Sequence, residues 1–131
     1  MPIFYNQYFA ELKTALNIFE KLYKKNPSDP ALLNRLGVTL NQLGDPINAE
    51  VYLLKASELD PNRFETWVNL CNVSGSLRKF DVGVHYAFRA LQIDPQSAEA
   101  YINFGASLLS VANYQAALIA FQTALDLAPH N

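Results

Sequence analysis

Four prolines stand at equal intervals along the chain: Pro27, Pro61, Pro95 and Pro129, each 34 residues from the last. A fixed period of this length is the signature of an array of small supersecondary units, and it constrains the fold more than any local motif. The register carries through other positions. Leu33, Trp67 and Tyr101 are in phase. So are Leu36, Leu70 and Phe104; Gly37, Cys71 and Gly105; Ala49, Gly83 and Ala117; Leu53, Ala87 and Phe121; and Ala56, Ala90 and Ala124. Agreement in residue size at so many positions makes the spacing a structural repeat.

Within one period the residues read as a pair of helices. Asp29 is placed to cap the first, and Pro30 fits the first helical position, where its missing N–H costs nothing. Leu32, Leu33, Leu36 and Leu40 recur at helical spacing. Gly44 ends that helix, and Asp45-Pro46 starts the next by the same device. Val51, Leu54 and Leu59 are expected to line the second helix, with Ala49, Leu53 and Ala56 on an adjoining face. Asp60-Pro61 stops it, because the residue before proline is disfavoured in the helical region. Small residues at Gly37, Ala49 and Ala56 let the helices approach, and Leu33 and Leu36 fill the space beside them. The same reading along the chain predicts helices over 4–25, 30–43, 46–59, 64–77, 80–93, 98–110 and 114–127.

This pattern resembles the tetratricopeptide repeat (TPR), with an aromatic, then Leu-Gly, then Ala and Phe, then Pro in each period. The aromatic position holds Leu33, Trp67 and Tyr101, and the Leu-Gly pair becomes Leu36-Gly37, Leu70-Cys71 and Phe104-Gly105. The resemblance covers repeats at 30–61, 64–95 and 98–129, preceded by a half repeat over 1–27 through Leu12, Ala15, Phe19, Leu22 and Pro27. It implies one domain over 1–131, an all-α, right-handed superhelical solenoid of antiparallel helix pairs with about seven helices and a concave groove. The middle repeat departs most. Cys71 replaces a glycine, Ser74 a large residue and Gly83 an alanine, while the turn glycine moves to Gly75 and leaves Arg78 at the usual site. Looser packing is expected there.

The family lines its groove with the first helix of each pair. Helical phase then puts Asn34, Arg35, Val38, Asn41 and Gln42 inward in the first repeat. The equivalents are Glu65, Val68, Asn69, Asn72 and Ser76 in the second, and Glu99, Ile102, Asn103, Ala106 and Ser110 in the third. The candidate peptide-binding residues are Asn34, Arg35, Asn41, Asn69, Asn72 and Asn103. An amide donates to and accepts from a peptide backbone at once, so a ladder of them holds an extended chain with little side-chain preference. Asn69 and Asn103, two residues after Trp67 and Tyr101, resemble the asparagine ladder of O-linked N-acetylglucosamine transferase repeats. Arg35 breaks the ladder and could meet a carboxylate. A subgroup that clamps acidic chaperone tails with groove lysines and arginines does not match, since those positions read Asn34, Val38, Asn69, Glu99 and Asn103.

The expected function is a protein-interaction scaffold whose partner is a protein or extended peptide. The alternatives are the substrate-recruiting arm of a larger enzyme, such as a glycosyltransferase, and a self-associating module that forms homo-oligomers through its ends. Exposed apolar faces on Leu118, Phe121 and Leu125, and an aromatic cluster at Ile3, Phe4, Tyr5, Tyr8 and Phe9, motivate the last. With 17% charged residues and a net charge of -2, the chain lacks the basic stripe that nucleic acid requires. The Lys21, Lys24 and Lys25 cluster reads as a helix C-terminal turn.

No apolar run reaches the length of a membrane span, and no signal peptide is expected at the N-terminus. The single cysteine excludes an internal disulfide; a reducing compartment such as the cytoplasm suits it. No cofactor or metal is expected. His85 and His130 lack ligands at metal spacing. Asp81 and His85 form a surface i,i+4 pair, and Cys71 sits at a packing position without a basic activator. Neither a glycine-rich phosphate loop nor a serine nucleophile elbow is present, so no catalysis is expected.

Overall fold

A computed structural model describes residues 2–128, with side chains from residue 6 onward. Ile3, Phe4 and Tyr5 of the aromatic cluster lie outside the described side chains, and Pro129 and His130 outside the described residues. Among the described residues every regular element is helical: α1 (Pro2–Lys25), α2 (Pro30–Gln42), α3 (Pro46–Leu59), α4 (Phe64–Ser76), α5 (Phe80–Ile93), α6 (Ala98–Ser110) and α7 (Tyr114–Leu127). The chain forms two compact units, Met1–Pro61 and Asn62–Asn131. In the first, α2 packs on α1 and α3; in the second, α4 packs on α5 and α6, and α6 on α5 and α7.

The helix starts follow local chemistry. Asp29 Oδ1 accepts from the Ala31 and Leu32 amides at 3.0 and 3.4 Å, and Pro30 opens α2. Asp45 accepts from the Asn48 amide at 3.2 Å, with Pro46 opening α3. Ser97 and Asn113 cap α6 and α7 in the same way. These bonds satisfy N–H groups that a helix start otherwise leaves without partners. Arg63 and Lys79 hold the equivalent positions before α4 and α5 and give no side-chain cap.

The bends inside the pairs share one geometry. The Asp45, Lys79 and Asn113 amides donate to the Leu40, Ser74 and Leu108 carbonyls at 2.9, 2.8 and 2.9 Å. Each reaches back across a residue of positive φ: Gly44 at 86°, Arg78 at 59° and Ala112 at 63°. This is the left-handed helix stop that glycine adopts without cost. In the second and third pairs a side chain adopts it instead.

Packing within a pair relies on close approach at one small residue. A Cβ at Gly37 would collide with Leu53 Cγ. A Cβ at Gly105 would lie 2.7 Å from Phe121 Cε1. Leu33, Leu36, Leu53 and Leu70 are fully buried, each stabilising the fold by about 1.5–3 kcal/mol relative to exposure. In the second unit one cluster gathers Val68, Ala90, Leu91 and Ala100 beneath Phe64, Trp67, Tyr101 and Phe104. The next gathers Leu108, Ala117 and Ala120 with Phe121. Trp67 also carries the Arg89 guanidinium 5.6 Å from its ring.

One expectation needs correcting. Val51, Leu54 and Leu59 are exposed at 60%, 38% and 42%, whereas Ala49, Leu53 and Ala56 are buried. At 100° per residue the i, i+4, i+7 stripe of small residues around Leu53 faces α2, which turns Val51 away from it. In the first unit Tyr23 of α1 reaches α3 directly: the Lys55 ammonium donates to its hydroxyl at 2.6 Å, and its ring meets Tyr52 edge-on at 5.4 Å. Burial first, then Glu20 and Tyr23, raises the Tyr52 pKa above its ordinary value.

Candidate functional site

The first helices of the pairs carry the expected site residues, and the structure assigns them different environments. Asn34 is 3% exposed and its amide donates to its own helix at the Pro30 carbonyl, 2.9 Å away. It is a buried packing residue whose donor is engaged. Arg35 is exposed, and Asn41 is half-buried with a buried Oδ1 that has no hydrogen-bond partner. All three lie on α2 of the first unit. In the second unit Asn69 and Asn103 are half-buried and Asn72 is exposed. Val68, expected inward toward a ligand, belongs instead to the core beside Leu91. Ala90, Leu91 and Ala100 cover it, whereas the in-phase Ile102 is exposed.

Asn72 and Asn103 are brought together around a cavity of about 190 Å³ between α4, α5 and α6. Its walls are Cys71, Ser74, Gly75, Phe80, Gly83, Ala106, Ser107 and Ser110. No Asp, Glu, Lys, Arg or His lines it. The wall hydroxyls are already engaged. Ser74 donates to the Cys71 carbonyl at 2.7 Å, and Ser110 to the Ala106 carbonyl at 3.1 Å. Cys71 Sγ and Ser107 Oγ lie 3.3 Å apart as a hydrogen-bonded pair.

The cavity follows from sequence departures within the middle repeat. Ser74 stands in phase with Leu40 and Leu108, Gly75 with Asn41 and Leu109, and Gly83 with Ala49 and Ala117. Three side chains are therefore smaller here than in the repeats on either side. The Ser74 hydroxyl occupies part of the space that a Cβ on Gly83 would need, 2.7 Å from it. The looser packing expected of this repeat takes the form of a defined hollow. Ser107 was not singled out by sequence reasoning, because its in-phase residues Thr39 and Val73 give no hint of a partner for Cys71.

The thiol is not an activated one. Burial raises the Cys71 pKa, and its hydrogen bond with Ser107 only partly opposes that. A neutral thiol is a weak nucleophile and a weak metal ligand. Among the described residues no group of three or more His, Cys, Asp or Glu is placed to hold a metal ion. Nor, among them, is any helix long and apolar enough to cross a membrane. A second hollow of about 370 Å³, in the first unit, is lined by Asn17, Glu20, Lys21, Tyr23, Lys24 and Tyr52. Its charges are mixed and mostly exposed, which suits solvent.

Repeated helix pairs, with close approach at Gly37 and Gly105, define a helical-repeat protein. A family model described as tetratricopeptide repeat matches residues 30–63 and 98–131, together more than half of the chain. The chain belongs to the tetratricopeptide repeat family. It is 29% identical over 124 residues to the human cell division cycle protein 16 homolog, covering 88% of this chain and 20% of that protein. A small glutamine-rich tetratricopeptide repeat-containing protein 2 from Mycosarcoma maydis is 32% identical over 77 residues, covering 59% of this chain and 22% of the relative.

The chain thus spans about a fifth of the length of these curated relatives. Among solved structures, MamA superposes with a TM-score of 0.85 at 22% identity, over 92% of this chain and 70% of that one. YrrB, described as a TPR protein with an unusual peptide-binding site, superposes with a TM-score of 0.82 at 26% identity, over 93% of this chain and 63% of that one. These likenesses support the all-α fold of TPR proteins.

Proposed function

We propose that this chain is a protein-interaction scaffold that holds an extended stretch of a partner polypeptide against α4 and α6, with Asn72 and Asn103 reading its main chain. The observation that carries the reading is the pair of amides flanking a neutral hollow on two helices that pack together. An amide satisfies both a peptide N–H and a peptide C=O, which suits a surface that reads backbone. The description of YrrB as having a peptide-binding site supports the same use of the fold. Asn69, in phase with Asn103, extends the row. The pair resembles the asparagine ladder of O-linked N-acetylglucosamine transferase repeats, a resemblance that fits a main-chain-reading surface. Arg35 and Asn41 belong to the equivalent surface of the first repeat, where Arg35 would favour a carboxylate.

The test is selection of a displayed random-peptide library on the 131-residue chain, followed by binding of the selected peptides to Asn72→Ala/Asn103→Ala. Two lost hydrogen bonds, at about 0.5–1.5 kcal/mol each, predict a roughly tenfold weakening. Failure to select any peptide, or equal binding by the double variant, defeats the reading.

A second reading, self-association through α7, is favoured by the exposure of Leu118, Ile119 and Leu125 at 70%, 67% and 67%. Apolar patches of this kind mark association surfaces. Sedimentation showing only monomer up to high concentration would dispose of it.

A further inference from the structure

We propose that the cavity between α4, α5 and α6 is a socket for one large apolar or aromatic side chain of the bound polypeptide, and that it sets the sequence preference of the scaffold. This rests on the peptide-binding reading above and adds a residue class to it.

Three observations select the guest. The first is size. A closed apolar cavity of roughly 150 Å³ accepts a benzene ring; this hollow measures about 190 Å³, opens to solvent, and has Phe80, Cys71 and Ala106 as its apolar wall. It therefore suits a Phe, Leu or Met side chain.

The second is charge. The lining residues carry no ionisable group other than the Cys71 thiol, which burial holds in its neutral form. A charged guest would lose its water without gaining a partner, which is costly. The hydroxyls of Ser74 and Ser110 donate to helix carbonyls, and Ser107 is paired with Cys71. The Ser74 and Ser110 donors are therefore spent, and the amides of Asn72 and Asn103 are the remaining polar donors of the lining, placed to meet a main chain.

The third is surroundings. Asn72 and Asn103 are among the lining residues, and one is exposed while the other is half-buried. A guest side chain in the hollow brings its own main chain level with these amides. That favours a residue within a polypeptide over a free hydrocarbon, which would leave the amides unused.

The origin of the hollow sharpens the argument. Ser74 is the position where the first and third repeats carry Leu40 and Leu108, both buried. In those repeats the leucine coexists with Ala49 and Ala117 at the position of Gly83. The repeat frame therefore accepts a leucine here. A Leu at position 74 would fill from within the space that the proposal gives to the guest.

The experiment uses the 131-residue chain and its Ser74→Leu variant, each selected against the same displayed random-peptide library. A second variant, Ala106→Phe, blocks the mouth from an exposed helix position if the first proves unstable by circular dichroism. The result expected is enrichment of Phe, Leu or Met at one fixed peptide position with the parent chain. That preference disappears with either variant, and a selected peptide weakens at least tenfold against Ser74→Leu.

Enrichment of peptides with no preferred apolar position, bound equally by parent and variant, overturns the socket and leaves the peptide-binding reading standing. Failure to enrich any peptide overturns both. A separate arm titrates N-acetyl-phenylalaninamide into the labelled chain by NMR. Shifts at the Gly75, Gly83 and Ser107 amides support the socket, provided N-acetyl-lysinamide does not produce them. Equal shifts with both amides overturn it.

Discussion

In the repeat built from α2 and α3, Gly37 makes room for Leu53; in the repeat built from α4 and α5, the in-phase residues are Cys71 and Ala87. One contact is therefore made in two ways. A glycine receives a large side chain in the first case. In the second, the glycine position gains a side chain while its in-phase counterpart loses one. The two changes run in opposite directions, as volume-conserving swaps do. The third repeat returns to the first arrangement with Gly105 and Phe121. One level further along, the middle repeat stops compensating. Leu40 becomes Ser74 while its neighbour shrinks from Ala49 to Gly83, and a cavity results. The comparison teaches that a repeat frame survives both compensated and uncompensated changes. Only the uncompensated one leaves a cavity.

The largest effect that could break this comparison lies in the first repeat. Leu53→Ala removes a fully buried side chain from a contact with no slack. Urea denaturation should show a loss of about 2–5 kcal/mol. A loss below 1 kcal/mol would mean that the first repeat is as forgiving as the second.

Next in size is Gly37→Ala, which forces a methyl into Leu53. Overpacking costs about 1–3 kcal/mol, partly offset by alanine's better helix propensity of about 1 kcal/mol. A net destabilisation in thermal melts supports the close approach, and a net gain contradicts it.

Smaller again is Asp29→Ala. Asp29 accepts two amides at the start of α2, while Arg63 gives α4 no side-chain cap. Loss of the cap should cost about 1 kcal/mol by denaturant titration.

The smallest effect concerns Cys71. Because its folded pKa is raised by burial, the folded state keeps its proton to higher pH than the unfolded chain does. Stability from this source is complete below the ordinary thiol range and falls as pH rises through the folded value. Melts of the parent chain should therefore lose more stability between pH 7 and alkaline pH than those of Cys71→Ser. Iodoacetamide should also modify the thiol more slowly than a free cysteine peptide at equal pH.

Much of this architecture is legible in the residues. Pro30, Pro46 and the in-phase prolines mark helix starts and stops through backbone chemistry alone, so the boundaries of α2 to α7 fall within a residue of expectation. Arg78 at the bend was also readable, because Gly75 had left its place. Facing was harder. The period shows that Leu33, Trp67 and Tyr101 are equivalent without showing what each one touches. Val68 and Asn34 have polar or exposed neighbours in sequence, yet pack inside. Helical phase gives a direction to within about a quarter-turn, and neighbours from distant sequence decide the rest. The tie from Lys55 to Tyr23 joins residues 32 apart, and Tyr23 gives no sign of it in the sequence. The hollow was foreshadowed by Ser74 and Gly83, but its far wall is Ser107 and Ser110 from α6.

The bends carry a wider implication. Glycine, arginine and alanine occupy the same left-handed position in three successive pairs, and the same backward amide bond spans each. For a residue with a side chain that position costs about 1–2 kcal/mol. The expense is tolerated because the bond and the paired helices hold the corner from both sides. Corner residues are thereby released from the duty of making the corner. An ancestral array under such terms could change the charge and bulk of its rim one substitution at a time, while each helix still left the turn in the same direction.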